Sequence, residues 1–154
     1  MKIVIDSREQ APFEFAGYEC STEAGTLYTG DYSLPGLDRL VAVERKSVDD
    51  LLGCLVNAGR DRFERELTRA SGLERFAVVV EASYQDIARG RYRSRMKPHA
   101  ALQSLVAFQV RYNAAFVFAG DRAGAEYFTH SFFHKYLAEA RKRYGAILKH
   151  NEAA

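Results

Sequence analysis

Gly30-Asp31-Tyr32-Ser33-Leu34-Pro35-Gly36-Leu37-Asp38-Arg39-Leu40-Val41-Ala42-Val43-Glu44-Arg45-Lys46 is the stretch whose reading decides the fold. Residues 30–34 and 40–45 are two short β runs around Pro35-Gly36-Leu37-Asp38, and the Pro-Gly pair marks a turn. The stretch therefore predicts a hairpin. Strand side chains alternate faces, so Val41, Val43 and Arg45 point one way and Ala42, Glu44 and Lys46 the other. With Asp31 across from them on the neighbouring strand, the Asp31 and Glu44 carboxylates can share a hard cation such as magnesium, which prefers oxygen ligands and keeps several waters. Lys46 then sits where an attacking water would be oriented. Phosphodiester hydrolysis needs this set: anions to hold divalent metal and a cation beside the water. A Glu-x-Lys alone reads first as an ordinary surface ion pair, because such tripeptides are common. Asp50, four residues past Lys46, lengthens the motif. It has its own local reading, since Ser47-Val48-Asp49-Asp50 opens an apolar helix as a capping box with Asp in the glutamate position.

Outward from the hairpin, strands and helices alternate as in a layered α/β domain. Lys2 to Ile5 is a strand, followed by a loop with Pro12 and Phe13. Val48, Leu51, Leu52, Leu55 and Val56 recur at helical spacing, and Asn57-Ala58-Gly59 ends that helix. A second helix has Arg60, Phe63, Leu67 and Ala70 on its apolar-leaning stripe, with Asp61 to Arg65 and Glu66 to Arg69 pairing on the wet face. Ala77–Val80 is a strand and Tyr84–Ala88 a short helix. A helix over His99–Tyr112 turns Leu102, Leu105, Val106 and Tyr112 inward. Ala115–Ala119 is a strand, and the last helix, 123–143, carries Phe128, Phe132, Tyr136 and Ala140. The expected organisation is one domain over residues 1–150 and a short tail at 151–154.

Composition is compatible with this reading. At 154 residues and 47% hydrophobic content, one domain can bury about 70% of its unfolded surface. The net charge of +2 is weak evidence for a nucleic-acid partner, because global balance hides local patches. Cys20 and Cys54 are too few for a disulfide framework or a zinc site, and Cys54 falls in an apolar helix. No basic-then-apolar leader and no apolar run near the eighteen or so residues of a membrane span is present. The expected setting is intracellular, cytoplasmic or nucleoid-associated, with no membrane partner. Glycine-rich phosphate loops and dinucleotide fingerprints are absent, which argues against a nucleotide-driven motor or a dehydrogenase.

Arg89, Arg91, Arg93, Arg95 and Lys97 occupy alternate positions, with Tyr92 among them. Cations that neutralise phosphates release counterions, and an aromatic between them offers a base a stacking surface. The loop reads as a DNA contact, or as a solvated loop without a partner. Arg141, Lys142 and Arg143 near a helix C-terminus complement its dipole. His130 and His134 lie one turn apart but have no third ligand at metal-site spacing. Gly120-Asp121 is a turn.

Gly30-Asp31, a twelve-residue gap, Glu44-Arg45-Lys46, three residues and Asp50 resemble the signature of the XPF-type structure-specific endonucleases, an excision-repair nuclease domain that cuts branched DNA. Val4-Ile5-Asp6-Ser7-Arg8-Glu9 is similar to that family's opening strand, Gly59-Arg60 to its Gly-Arg element, and Arg91-Tyr92-Arg93-Ser94-Arg95 to a stretch of its small bacterial and viral members. Larger members continue into tandem helix-hairpin-helix motifs, so a stand-alone small form is expected. The resemblance, not the periodicity, selects a restriction-endonuclease-like α/β fold, a central mixed sheet with helices on both faces. It implies a magnesium-dependent endonuclease, with manganese able to substitute, acting on branched, flap or fork DNA in repair or recombination. Asp31 and Glu44 would be metal ligands with Glu9 a further carboxylate, and Lys46 would position or activate water. Arg45 and Arg8 would support phosphate binding or carboxylate geometry, and Asp50 would support the site or only cap its helix. Arg60 joins the basic loop as a DNA contact. A homodimer or heteromer is expected, with Phe133, Leu137 and Tyr144 widening the apolar arc of the last helix beyond one packing face. The rival readings are a non-catalytic DNA-binding subunit and a restriction-type or recombination nuclease with the same site.

Overall fold

The hairpin lies at the heart of a six-stranded mixed sheet. The structure, a computed structural model, describes residues 1–152. The strands are β1 (Lys2–Asp6), β2 (Ser21–Gly25), β3 (Tyr32–Ser33), β4 (Val41–Lys46), β5 (Arg75–Val80) and β6 (Ala115–Phe118). The helices are α1 (Val48–Gly53), α2 (Asn57–Ala70), α3 (Tyr84–Ala88), α4 (Pro98–Tyr112) and α5 (Arg122–Glu152). Strand order is β2-β1-β3-β4-β5-β6. The hairpin pairs β3 antiparallel to β4, with Tyr32 opposite Val43, and β4, β5 and β6 run parallel.

Alternation along β4 divides the core. Ala42 packs with Leu51, Phe63, Leu105 and Phe108 from α1, α2 and α4. Val41 and Val43 pack on the opposite face with Phe13, Phe15, Tyr32 and, from α5, Ala125 and Phe133. Helices thus cover both faces, as the expected three-layer fold requires. β5 is buried over Phe76–Val80, the near-continuous apolar pattern of a central parallel strand.

Several elements depart from expectation. β2 emerges from what reads as loop; its sequence STEAG is largely exposed and carries no alternation to betray an edge strand. The first helix stops at Gly53, and Val56 is extended before α2, so Cys54 caps a helix end instead of lying within one. Gly59 permits this break, because a Cβ there would collide with the Gly53 carbonyl oxygen. On α4 the buried row is Ala101, Leu105 and Phe108, whereas Val106 is 51% exposed. Pro98 begins α4 and left-handed Asn113 ends it, the usual asymmetry of helix termini. α5 runs nine residues past the expected Arg143, to Glu152. Asn151 and Glu152 of the expected tail are therefore helical, and 153–154 lie outside the described residues. Phe133 is fully buried in the core and Leu137 is partly buried against it, so neither widens an exposed arc. Among the described residues no helix is long and apolar enough to cross a membrane.

Candidate active site

Register brings the carboxylates together. With Tyr32 opposite Val43, the next pair outward is Asp31 and Glu44, and directly opposed residues share a face. Asp31 N donates to Val43 O at 2.9 Å, and Arg45 N donates to Asp31 Oδ2 at 2.7 Å. Gly30 makes this approach possible. Its φ is +80°, and a Cβ would lie 3.0 Å from Ala42 Cβ and 3.1 Å from Val43 O, so a larger residue is excluded by both conformation and space.

Glu44 is buried and its carboxylate forms an ion pair with the Lys46 ammonium. Lys46 Nζ also lies 5.4 Å from the centroid of the Phe63 ring on α2. Burial, then the charge of Glu44, push the Asp31 carboxyl up to about 8, against the Arg45 N–H that favours its anion. Glu44 is likewise raised, by burial first, with Lys46 opposing and Glu66 adding to the rise by charge and a hydrogen bond. Burial works against the Lys46 ammonium, but Glu44 and Glu66 outweigh it and hold the group well above the usual lysine range. Like charges crowded in a low-dielectric site resist joint ionisation, and a bound cation relieves that.

Arg45 points to the other face. Its Nη2 donates to Glu9 Oε1 at 3.0 Å and its Nε to Glu9 Oε2 at 3.3 Å, and its Nη1 lies 3.4 Å from Glu81 Oε1. Arg122 of α5 pairs with Glu81 at 2.9 Å and donates to the carbonyls of Ala11 and Pro12. This chain of charges fastens the N-terminal loop to β4, β5 and α5. Arg45 thus holds the Glu9 and Glu81 carboxylates and at the same time borders the cleft. Glu9, expected at the metal, has both oxygens engaged by Arg45, and Oε1 also accepts from Ala11 N at 2.6 Å. It stands at the cleft rim as the countercharge of Arg45.

Arg8 folds back on buried Asp6, its Nε and Nη2 donating at 2.7 and 2.8 Å, while Leu27 N donates to Asp6 Oδ2 at 2.8 Å. Asp6 is thereby a bracket for the 25–31 turn, and the Arg8 side chain remains 69% exposed at the cleft mouth. Asp50 is the third residue of α1, whose N-cap is Ser47: its N–H donates to Ser47 Oγ at 3.2 Å and Ser47 Oγ donates to its Oδ2 at 2.6 Å, half of the expected capping box. Its side chain also lines the cleft of about 210 Å³ with Arg8, Glu9, Asp31, Glu44 and Lys46. Among the described residues no three His, Cys, Asp or Glu side chains form a ready metal cage. Magnesium needs no such cage. Two carboxylates, one just before β3 and one on β4, facing an open cleft suit an ion that takes one or two carboxylates and keeps its waters for substrate phosphate.

The remaining expected contacts separate. Arg91, Arg93, Arg95 and Lys97 are exposed while Tyr92, Ser94 and Met96 alternate inward. Carboxylates absent from the loop itself come from its neighbours: Arg91 pairs with Asp86 at 3.2 Å and Arg93 with Asp49 at 3.7 Å. Arg93 N donates to Asp49 Oδ1 at 3.1 Å, which docks the loop on the first turn of α1 beside the cleft. Tyr92 packs against the core and donates its hydroxyl to Met96 O at 2.8 Å. That placement corrects the expectation of an open stacking ring. Arg89 ends α3 as its C-terminal cap. Arg60 lies against the Phe108 ring at 4.8 Å and pairs with Glu64 at 2.9 Å, so it fastens α2 to α4 instead of facing the site. From α2 the site is bordered by Gly59, Arg62, Phe63 and Glu66; Glu66 was expected on the wet face, and Arg62 was not singled out. Gly59, Arg62, Phe63 and Glu66 form one helical row, the signal that could have found them.

The family model of the ERCC4 domain matches residues 5–132. The chain belongs to the ERCC4 domain family. No curated protein matches it. Among solved structures, this ERCC4 domain is similar to XPF from Aeropyrum pernix, at 21% identity and a TM-score of 0.70, over 87% of this chain and 60% of that one. A second structure, XPF from Aeropyrum pernix in complex with DNA, gives 20% identity and a TM-score of 0.66 over 90% and 66%. The chain thus spans less than two thirds of either protein. The XPF-type resemblance read from the motifs is confirmed, and the XPF structures share the expected restriction-endonuclease-like fold.

Proposed function

We propose that this ERCC4 domain is a metal-dependent DNA endonuclease that cuts branched, flap or fork DNA in repair or recombination. One observation carries the reading: Asp31, just before β3, and Glu44 on β4 face one cleft with the Lys46 ammonium. Asp31 and Glu44 would hold magnesium or manganese, which when bound polarises the phosphate and makes water acidic at neutral pH. Lys46, held protonated by its carboxylate neighbours, binds a phosphate oxygen or orients the water and does not take its proton. Arg8 at the mouth and exposed Arg91, Arg93 and Arg95 on a loop docked to α1 provide phosphate contacts next to the chemistry. The DNA complex of the Aeropyrum pernix protein supports DNA as the partner. A homodimer or heteromer is part of the proposal. Tyr144, Ile147 and Leu148, exposed near the end of α5, are its apolar material, and light scattering of Ile147→Glu against the parent tests it. The function itself is tested by incubating the purified chain with branched and linear DNAs in magnesium or manganese and mapping the cuts. Branched DNA cut in preference to linear supports the reading, and no cleavage in either metal refutes it.

A further inference from the structure

Helix α2 brings to the site a carboxylate that lies outside the ordered motifs. Phe63 and Leu67 are buried on α2, so Glu66, three residues after the first and one before the second, sits at the edge of the inward row and not on the wet face. With Lys46, Gly59, Arg62 and Phe63 it lines a cavity of about 620 Å³ beside the cleft. Gly59 sets the depth of this row, since it alone lets α2 abut the Gly53 carbonyl. The charge of the Glu66 carboxyl acts on both members of the ion pair beside it, raising Glu44 and favouring the Lys46 ammonium.

A cation held by Asp31 and Glu44 draws the Glu44 carboxylate away from Lys46. The Lys46 side chain is 15% exposed, and stripping a buried charge of its partner is costly. Another anion must be at hand, or the cation has to compete with the ion pair for Glu44. Of the other carboxylates lining the cleft, Asp31 holds the cation in this scheme, Glu9 is occupied by Arg45 and Asp50 accepts from Ser47 in the cap of α1. Resting on the nuclease reading above, we propose that Glu66 is a positioning residue that takes over the Lys46 ammonium when Glu44 turns to the divalent cation. Glu66 does not touch the cation; it leaves Glu44 free to do so and keeps Lys46 beside the substrate phosphate.

The test is a double-mutant cycle read by Mn²⁺ affinity, using calorimetry on the full chain without DNA. Glu66→Gln should weaken Mn²⁺ binding about tenfold, a mid-range coupling for contacting charges. In the Lys46→Met background the same substitution should change affinity by less than about twofold, because no ammonium is left to transfer. Glu66→Asp should keep part of the affinity, and Glu66→Ala should behave as Glu66→Gln. Circular dichroism establishes that each variant is folded. An equal loss in both backgrounds would make Glu66 a direct ligand or a general source of negative potential and overturn the proposal, as would no loss in the parent background. A parent chain that binds Mn²⁺ but cuts no DNA would sink the nuclease reading while leaving the cycle to judge Glu66.

Discussion

Arg45→Met is the substitution in the Glu44-Arg45-Lys46 tripeptide that should cost most in stability. The Arg45 side chain is 11% exposed and its first partner, Glu9, 5%. Methionine fills much of the volume but removes the charge, leaving the Glu9 carboxylate buried without its cation. Breaking a buried pair in this way costs about 3–5 kcal/mol. Glu81, the second partner, keeps Arg122 at 2.9 Å, so only one carboxylate is stranded and the loss should fall near the lower end, about 3 kcal/mol. For a domain of this size that lowers Tm by roughly 6–12 °C. The pH dependence has a definite sign. Burial raises Glu9, but the Arg45 hydrogen bond, the Ala11 N–H and the charge of Arg45 outweigh it and hold the carboxyl below its ordinary 4.5. A lowered carboxyl stabilises the fold above its unfolded value, and the contribution disappears as pH falls through the folded one. The gap between parent and Arg45→Met should therefore be widest near neutrality and narrow below about pH 4.5. Adding Glu9→Gln to Arg45→Met should recover part of the loss. Thermal melts by circular dichroism at pH 7 and pH 4 decide the matter. A variant within about 1 kcal/mol of the parent at pH 7, or a gap unchanged in acid, would refute the reasoning.

Asp31→Asn, Glu44→Gln and Lys46→Met should each lower cutting by about 100-fold or more, the size of one preorganised electrostatic group, with fold and DNA affinity kept; full cleavage by Glu44→Gln in magnesium would contradict the site. In metal-free protein Asp31→Asn should be stabilising, increasingly so as pH rises from 3.8 towards about 8, because over that window the folded state retains a proton the unfolded chain has released. Melts from pH 4 to 9 in a chelator check this, and a flat difference would count against the buried carboxylate pair. Changing Arg91, Arg93 and Arg95 together to glutamine should weaken DNA binding and reduce the log-log salt slope by about one unit for every phosphate left without its cation. An unaltered slope would place the DNA surface elsewhere.

The central hairpin was legible because its signals are local. Pro35-Gly36 sets the turn, the Val41 to Lys46 alternation sets the faces, and together they oppose Asp31 to Glu44 without any tertiary information. β2 was not legible, since STEAG buries too little to carry a pattern. The break between α1 and α2 depends on the close approach of Gly59 to Gly53, which is tertiary and leaves no mark in periodicity. On α4, Val106 and Phe108 are both apolar, and only the neighbours decide which is inward; the same holds for Phe133 on α5. The basic loop misled through its own regularity: a period of two exposes Arg91, Arg93 and Arg95 and for that reason turns Tyr92 and Met96 in. Glu66 looked like part of a solvated helix face because the site it approaches is assembled from β4.

The alternation along β4 has an evolutionary corollary. On the proposed nuclease reading, three adjacent codons serve two masters, since Glu44 and Lys46 would serve the chemistry while Arg45 ties down the N-terminal loop through Glu9 and Glu81. Selection for cellular abundance alone should retain the middle codon and let its neighbours drift, whereas selection for cutting retains all three. If the domain cuts as proposed, a folded but inert version of it is a single substitution away, at Glu44 or Lys46, and the Arg45 codon would remain in it as the trace of the ancestral scaffold.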